Sequence, residues 1–468
     1  MPWTSASSRS TAEVDGVQGE HVDLMRMRLV STITLSMPGL LGRLVTRKVL
    51  AGAVGMGGPV GLEVEVEADQ VGFDAGRLGR IDRHLARYVD DGRLPGWLVL
   101  VSRRGRIVHL ATCGRRDLEA DLPVELDTRF RIYSMTKPVT AVAAMQLYEE
   151  GAFSLKDPVA AFIPSFADLA VYRDGPASGP RTEPATQPVR LWHLLTHTAG
   201  LTYGFHHAHP VDAMYRAAGF EWVAPEGHDL AQCCDLWAGL PLLFEPGSAW
   251  NYSVASDVLG RVVEVVSGQP LDRFFQERIF GPLGMTDTGF WVEEADAGEL
   301  AALYSAGPGG RPVRDDTLGG RALHRPACLA GGGGLVSTAA DYHRFTQALL
   351  GGGELDGARL LGSRTLAYMG RNHLPGGADL ESFGRRLFAE TTFVGVGYGL
   401  GWAVLLDPVA NKVLSSPGEL AWGGAASTFF WVDPAERLTA IFLTQLMPSS
   451  AYPLRSELRQ LVYQALVD

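Results

Sequence analysis

The chain has 468 residues, of which 46% are hydrophobic and 20% charged, and its formal net charge is −11. This composition indicates a large globular protein with a sizeable core and two or three domains, and no apolar run is long enough to span a bilayer. The negative charge argues against nucleic acid or an anionic membrane as the main partner.

The first 71 residues form a separate N-terminal extension by composition. Arg26, Arg28 and the apolar run 29–41 imitate an export signal, but acidic residues precede them and no small-residue cleavage site follows. We therefore expect a partly flexible extension with a Gly-rich hinge at 52–61 and a cytoplasmic protein. Translation from Met25 or Met27 would instead favour export.

The next elements alternate between helix and hairpin. Residues 73–91 carry apolar side chains at helical spacing, and the β-branched and aliphatic runs 97–101 and 107–111 flank a turn. Residues 138–151 predict a helix that begins at Pro138 and ends at Gly151. Proline is tolerated there because the N–H groups of the first turn have no acceptor within the helix.

The middle of the chain reads as helices broken by Pro and Gly loops, and strands return near the C-terminus. The clearest middle helices are 257–267 and 271–279. The later predicted elements are strands 398–406, 412–415, 427–432 and 439–443, followed by an amphipathic helix at 454–466.

Hairpins at both ends with helices between them predict an α+β fold, in which a mainly antiparallel sheet packs against terminal helices. The predicted domains are the extension 1–71, a sheet domain of residues 72–160 and 327–468, and an inserted helical domain, 161–326. Clefts between domains are where small-molecule sites usually lie.

The segment 133–138, Tyr-Ser-Met-Thr-Lys-Pro, carries the first chemical signal. Ser134 and Lys137 share one helix face, so the amine can activate the hydroxyl as a nucleophile at a helix N-terminus. The alternative is a capping serine followed by a surface lysine.

Two later segments supply the remaining parts of a serine acyl-transfer site. Tyr252 follows a turn and precedes a helical pattern. Its phenol can carry a second proton, and the alternative is a hydrogen-bonded phenol in the core. The Trp422-Gly423-Gly424 step precedes a strand whose backbone N–H can stabilise an oxyanion.

The order and content of these motifs resemble the serine β-lactamase and penicillin-binding-protein superfamily, and within it class C β-lactamases and, more closely, family VIII carboxylesterases. The resemblance extends from about Gly72 to the end of the chain. It also includes the segments 194–201, 279–285 and 331–338. It implies a β-lactamase-like fold with the site in the cleft between sheet and helices.

The resemblance implies that Ser134 is the nucleophile, that Lys137 activates it and that Tyr252 passes a proton to the leaving group. Which of the two latter residues is the resting base stays open, because coupled groups titrate together. The N–H groups of Ser134 and Ala425 would form the oxyanion hole.

The substrate pocket implied by the resemblance contains Tyr133, Val254, Trp422, Gly423 and Gly424. Two of these residues depart from the β-lactamase pattern. Trp422 stands where the superfamily usually has a lysine that binds a substrate carboxylate, and Val254 stands where an asparagine often contacts an amide. Both changes favour an uncharged ester substrate.

We therefore predict a serine ester hydrolase acting through an acyl-enzyme on short-to-medium acyl esters, with no cofactor and no metal. The alternatives are an acyltransferase of the same fold, a weak β-lactamase or D-alanyl peptidase, and a non-catalytic scaffold. The sequence leaves the oligomeric state open.

Other conspicuous residues are given structural interpretations. The histidines of the segment 205–209 lack metal-ligand spacing and are expected in an exposed loop near the cleft, and His193 and His197 are expected to be structural. Residues 331–334 lack the rest of a phosphate-binding loop and are expected to form a flexible turn near the cleft. The four cysteines are expected to be buried thiols in a reducing compartment.

Overall fold

An eight-stranded antiparallel sheet lies at the centre of this computed structural model, which describes residues 62–385 and 392–468. In the large sheet the strand order is β12-β13-β14-β15-β16-β1-β2-β3, so strands from both ends of the chain meet where β1 pairs with β16. The strands are β1 Gly96–Arg103, β2 Arg106–Asp117, β3 Leu122–Pro123, β4 Phe130–Arg131, β5 Ala170–Asp174, β6 Arg181–Pro184, β7 Tyr304–Ala306, β8 Pro312–Arg314, β9 Val336–Ser337, β10 Glu354–Leu355, β11 Ala358–Arg359, β12 Val396–Tyr398, β13 Ala403–Leu405, β14 Leu420–Gly423, β15 Phe429–Asp433, β16 Leu438–Leu443 and β17 Leu446–Met447.

Helices cover both faces of this sheet. A π-helical segment, Gln276–Phe280, continues the eighth helix. The α-helices are α1 Ala75–Leu78, α2 Arg80–Asp90, α3 Thr136–Glu149, α4 Leu191–Leu195, α5 Pro210–Ala217, α6 Leu230–Ala238, α7 Ala255–Ser267, α8 Leu271–Phe275, α9 Gly281–Leu283, α10 Asp316–Gly319, α11 Ala339–Leu350, α12 Ser363–Met369, α13 Leu380–Phe383, α14 Pro408–Asn411 and α15 Leu454–Tyr463.

The central strands are apolar on both faces because each face has its own core. Successive side chains of a strand point to opposite sides, so Leu98 and Leu100 of β1 enter the core formed with α3, α7 and α11. Val99 and Val101 enter the second core, against α2 and α15. All eight residues of β1 are buried as a result. The α+β architecture predicted from the sequence, a mainly antiparallel sheet packed against terminal helices, is confirmed.

Two predicted strands differ in the structure. The predicted strand 398–406 is a hairpin of β12 and β13, because Gly401 takes a φ of +101° and reverses the chain between them. The predicted strand 412–415 is absent from the described elements. The chain there leaves the short helix α14 through Lys412, whose φ of +63° is left-handed and cannot continue an extended strand.

The described fold begins before the predicted boundary at Gly72. Glu65 donates its backbone N–H to the Ile107 carbonyl of β2, and residues Ala68–Val71 form a 3₁₀ turn. The expectations for residues 1–61, including the hinge and the export signal, lie outside the described residues.

The middle of the chain shares its core with the sheet. Val171, Leu194 and Phe275 belong to the same continuous core as Leu98 and Leu443, and the helices there are joined by the additional hairpin β5–β6. The division into a sheet domain and a helical domain at 161–326 stays a prediction. Over the residues 62–385 and 392–468, no helix combines the length and the apolar character needed to cross a membrane.

Candidate active site

The Ser134 hydroxyl lies on a tight turn that connects strand β4 to helix α3. Residues Tyr133–Met135 form a 3₁₀ turn, and Tyr133 adopts a φ of +44°, which is unusual for a residue with a side chain. The turn is held from both sides, because Ile132 donates its N–H to the Leu335 carbonyl (3.0 Å) and Met135 donates to the Ile132 carbonyl (3.0 Å). Such strained backbone is often found at functional sites.

Lys137 lies one helical turn further on and is only 1% exposed. Its Nζ makes three hydrogen bonds, to Ser134 Oγ (3.2 Å), Tyr203 Oη (3.1 Å) and the Gly332 carbonyl oxygen (2.6 Å). These three oxygen atoms are the hydrogen-bond partners of the nitrogen among the described residues. This burial differs from the surface lysine that was the alternative for the sequence motif.

Sequence reasoning missed two of the residues that hold Lys137. Tyr203 follows α4 on the loop that leads to α5, and Asp257 lies in the first turn of α7. The Gly332 N–H donates to Oδ1 of the buried Asp257 carboxylate (2.8 Å), and Asp257 Oδ2 and the Tyr203 hydroxyl both lie where a side chain at Gly332 would be. Neither residue has a local sequence signal, because their partners lie far away in the chain.

Tyr252 reaches the amine through the face of its ring. The Lys137 Nζ lies 4.4 Å from the centre of the Tyr252 ring, and the Trp422 Nε1–H points to the Tyr252 Oη at 3.4 Å. The hydrogen bonds found among the described residues include none from Tyr252 Oη to Ser134 or Lys137. The structure therefore brings the three predicted residues together, and the Tyr252 hydroxyl has its hydrogen-bond contact with Trp422.

The backbone around Tyr252 is fixed by buried polar side chains. His206 Nε2 lies 2.7 Å from the Tyr252 carbonyl oxygen, and since a carbonyl only accepts, this nitrogen carries the proton. Asn251 Nδ2 donates to the Leu201 carbonyl at 2.9 Å. His197 packs against the Tyr252 ring at 5.1 Å, and burial holds the pKa of this imidazole well below its usual range.

The end of strand β14 lies against the nucleophile turn. A side chain at Gly424 would meet the Ile132 carbonyl oxygen and Thr428 Oγ1, so only glycine allows this approach. Ala425 and Tyr133 pack around the same small apolar cluster. Within the described residues the Ala425 N–H has no acceptor, and it follows the Gly424 N–H, which donates to the Thr428 carbonyl at 2.7 Å.

The predicted pocket residues differ in their exposure. Trp422 and Tyr133 are half-buried, whereas Val254 is 3% exposed and packs in the main core beneath the site. Burial raises the pKa of the Tyr133 phenol to about 12, so this residue is an uncharged part of the surroundings. Val254 therefore offers little surface to a ligand in this conformation.

A cation does lie near the third motif, on the other side of the sheet. A side chain added at Gly423 would point to the Arg455 guanidinium, whose carbon lies 5.9 Å from the Phe429 ring centre in the second core. Successive strand residues face opposite ways, so this guanidinium lies across the sheet from Trp422. The face that carries Trp422 is lined there by Tyr252 and Tyr398.

The remaining candidate residues have mixed outcomes. His207 is exposed and paired with Glu221 at 3.2 Å, but His206 is half-buried against Tyr252, so the expectation of an exposed loop was wrong for His206. His193 lies in α4 and takes part in its N-terminal cap.

The structure also shows where the glycine segment 331–334 and the four cysteines lie. The Gly332 carbonyl enters the site through Lys137. The four thiols are free. Cys233 and Cys234 are buried as expected, whereas Cys113 and Cys328 are only half-buried, so the expectation was wrong for these two.

Among the described residues, these contacts place a serine hydroxyl beside a buried amine, that amine over the face of a phenol ring, and the unpaired Ala425 N–H in the turn after β14. This combination has the parts that acyl transfer through a serine needs. The arrangement is of the kind that the class of serine acyl-transfer proteins with a Ser-x-x-Lys motif uses.

The comparisons with known proteins agree with that class. The chain belongs to the β-lactamase family, whose model matches residues 81–464. It is 38% identical to protein Rv1367c of Mycobacterium tuberculosis over 368 residues, which cover 77% of this chain and 88% of that protein. It is 32% identical to esterase EstB of Burkholderia gladioli, over 84% of this chain and 96% of EstB.

A solved structure extends the similarity to three dimensions. EstCE1, described as a hydrolase with promiscuous acyltransferase activity, matches with a TM-score of 0.70 and 29% identity. The match covers 83% of this chain and 99% of EstCE1. The relatives of this chain within the β-lactamase fold therefore include ester hydrolases and acyltransferases.

Proposed function

We propose that this protein is a serine ester hydrolase that acts on short-to-medium acyl esters through an acyl-enzyme at Ser134. The observation that carries the proposal is the buried Lys137 Nζ, which lies 3.2 Å from the Ser134 hydroxyl. A serine becomes a useful nucleophile when a neighbouring base takes its proton, and an amine held out of water in contact with it is such a base. The esterase relative EstB supports the same activity.

In the proposed reaction, Ser134 Oγ attacks the ester carbonyl carbon while its proton passes to the Lys137–Tyr252 pair. The carbonyl oxygen becomes an oxyanion that the N–H groups of Ser134 and Ala425 stabilise. The intermediate then collapses, and Tyr252 returns the proton to the departing alcohol. Water repeats the attack on the acyl-enzyme, which releases the acid and restores the serine hydroxyl.

The substrate class follows from the face of the sheet that carries Trp422. Trp422 stands where β-lactamases usually carry a lysine, and it packs against Tyr252 and Tyr398 rather than presenting a charge. The carboxylate of a β-lactam therefore has no lysine to bind at this position, whereas a neutral ester has no carboxylate that needs one. An ester also needs less protonation of its leaving group than an amide does.

The test is a chain-length series of p-nitrophenyl acetate, butyrate and octanoate together with the cephalosporin nitrocefin. We expect turnover of the short esters to exceed nitrocefin turnover, and Ser134→Ala to abolish it. Ser248→Ala, which changes an exposed serine of the turn before Tyr252, should behave as wild type. Nitrocefin turnover that rivals the short esters, or activity that survives in Ser134→Ala, would contradict the proposal.

A second candidate is transfer of the acyl group to an alcohol, which the description of EstCE1 favours. Both reactions share the acyl-enzyme and differ only in what attacks it. Adding 1-butanol to a p-nitrophenyl butyrate reaction and measuring butyl butyrate against butyric acid separates them. A product mixture dominated by butyl butyrate at low alcohol concentration would make transfer the main activity.

A further inference from the structure

Three stacked aromatic rings lead from the candidate site to the protein surface. The Tyr203 ring lies 5.2 Å from the Tyr252 ring and stacks on Phe205, with ring centres 4.7 Å apart and an interplanar angle of 21°. Phe205 stacks in turn on Trp222, at 4.6 Å and 11°. Tyr203 and Phe205 are half-buried, whereas Trp222 is 44% exposed. The rings of Tyr203, Phe205 and Trp222 are called the aromatic row below.

The backbone holds the aromatic row in place. Gly204 lies between the first two residues of the row, and a side chain there would meet the Phe220 carbonyl oxygen. Only glycine therefore allows this turn to approach the segment that leads to Trp222. The Gly204 carbonyl accepts from the Arg216 guanidinium, and Phe220 is buried with its ring 5.2 Å from that of Trp237. The row is thus built on packed backbone on both sides.

The loop that carries the third ring also reaches α10, a second segment beside the nucleophile turn. Arg321, in the 3₁₀ turn that follows α10, donates to the Ala224 carbonyl at 3.4 Å. Leu318 of α10 packs in the small apolar cluster that includes Tyr133 and Ala425. The aromatic row and α10 therefore both adjoin the site, and this contact joins them.

A column of stacked rings offers its edges to a ligand that lies alongside it. An aromatic ring is negative on its faces and positive at its edge, so the edge attracts the face of another ring. Phe205 is stacked between its two neighbours, which leaves its edge to contact a ligand. A flat aromatic group beside the row therefore gains edge-to-face contacts, whereas a saturated group of the same size gains only apolar contact.

The position of the row beside Tyr252 decides which half of an ester it contacts. In the proposed reaction Tyr252 returns the proton to the departing alcohol, so the alcohol oxygen lies at the Tyr252 hydroxyl. The row begins 5.2 Å from that ring and leads outwards through Phe205 to the exposed Trp222. The alcohol half of the ester is therefore the half that extends along the row.

We propose that Tyr203, Phe205 and Trp222 form a subsite for the alcohol half of the ester, which selects primary alcohols that carry a flat aromatic group. This inference rests on the proposed serine reaction and adds a substrate class to it. Phe205 and Trp222 determine specificity and take no part in proton transfer. Tyr203 also contacts Lys137, so the variants are made at the other two rings.

The critical comparison is between benzyl butyrate and cyclohexylmethyl butyrate, which have the same number of carbon atoms and both release a primary alcohol. The ratio of their kcat/KM values is divided by the ratio of their alkaline hydrolysis rates, which removes the difference in chemical reactivity. We expect this normalised preference for benzyl to be about fivefold in wild type, the scale of edge-to-face contacts. Phe205→Leu keeps an apolar side chain and removes the central ring, so the preference should fall below twofold.

The exposed end of the row is tested with 2-naphthylmethyl butyrate, whose second ring extends further along it. We expect Trp222→Leu to lower kcat/KM for this ester about fivefold and to leave that for benzyl butyrate within twofold of wild type. Phe205→Leu should lower both values, because both esters pass the central ring.

Each variant has a matched control. Phe162 is half-buried like Phe205 and packs edge-on against another ring, that of Phe153, at 6.1 Å, so Phe162→Leu should keep the wild-type preference. Tyr368 is 42% exposed, and Tyr368→Leu is the control for Trp222→Leu. A ratio of two esters measured on one sample does not depend on the active fraction, so partial unfolding cannot imitate a change in preference.

Three results would overturn the inference. One is a wild-type enzyme whose normalised preference is below twofold, and another is a Phe205→Leu enzyme that keeps the wild-type preference. The third is a phenyl preference that Phe205→Leu removes from an acyl pair, ethyl phenylacetate and ethyl cyclohexylacetate, and leaves in the alcohol pair. All three leave short-ester turnover and its loss in Ser134→Ala intact. A wild-type protein with neither ester turnover nor labelling by a fluorophosphonate would instead overturn the proposed function itself.

Discussion

The Trp422 indole directs its Nε1–H to the phenol oxygen of Tyr252, at 3.4 Å. Trp422 thus has a polar contact beside its apolar ones, and this N–H helps to fix the position of the phenol oxygen. Trp422→Phe keeps an aromatic ring and removes this donor together with part of the indole volume. We expect kcat for p-nitrophenyl butyrate to fall about fivefold, the scale of one net hydrogen bond.

The control for this variant is Trp237→Phe. Trp237 is also buried in the main core, but its indole N–H has no hydrogen-bond partner among the described residues. Its replacement should leave kcat unchanged. Equal losses in both variants would attribute the effect of Trp422 to packing alone.

Gly424→Ala tests the approach of β14 to the nucleophile turn. The added methyl group would press on the Ile132 carbonyl and on Thr428, so the strand end must move away together with the Ala425 N–H. Losing one oxyanion donor costs about 10²–10³ in rate, and we expect a kcat loss in that range. Gly298→Ala, at a glycine of ordinary φ with open space around it, should be neutral in the same assay.

Two neighbouring histidines should differ in their effect on turnover. His206 contacts the Tyr252 carbonyl, and its pKa is lowered by burial, whereas His207 is exposed. We expect His206→Ala to lower kcat about fivefold, because Asn251 still donates to the same carbonyl at 3.2 Å. His207→Ala should show wild-type kcat, and a comparable loss there would argue for a general effect of the loop.

The free energy of unfolding should decrease as the pH falls, partly because of His193. Burial and then Arg190 lower the pKa of His193 to about 4, and its Nδ1 accepts the Arg190 N–H at 3.1 Å. Between pH 6.5 and 4 the unfolded chain binds this proton and the folded chain does not. The stabilisation is therefore complete above the unfolded pKa and is lost as the pH falls through this window.

His193→Gln removes this titration and keeps an acceptor, since glutamine at this helix position also bonds back to the cap. We expect the unfolding free energy to change by up to ~3 kcal/mol less between pH 7 and pH 4 than in wild type. Urea unfolding at both pH values measures it. The exposed His324→Gln should keep the wild-type pH dependence, and an unchanged slope in His193→Gln would refute the assignment.

Local sequence patterns were sufficient where short-range physics decides the structure. The hairpins β1–β2 and β15–β16 follow from continuous apolar, β-branched and aromatic runs separated by turns, and Ser134 and Lys137 are neighbours simply because they are one helical turn apart. The strand predicted at 398–406 was wrong because a single left-handed glycine, Gly401, outweighs an otherwise strand-forming composition.

The sequence by itself determined the α+β class of this protein. It also identified the serine, the amine and the phenol that are proposed for catalysis, because each is marked by its immediate neighbours in the chain. Only the tertiary structure decided what surrounds the amine. Tyr203, Asp257 and Gly332 are separated from Lys137 by tens to hundreds of residues, and the contacts among these groups form only once α3, α7 and the glycine segment pack together. Long-range contacts of this kind leave no periodic trace in a single sequence.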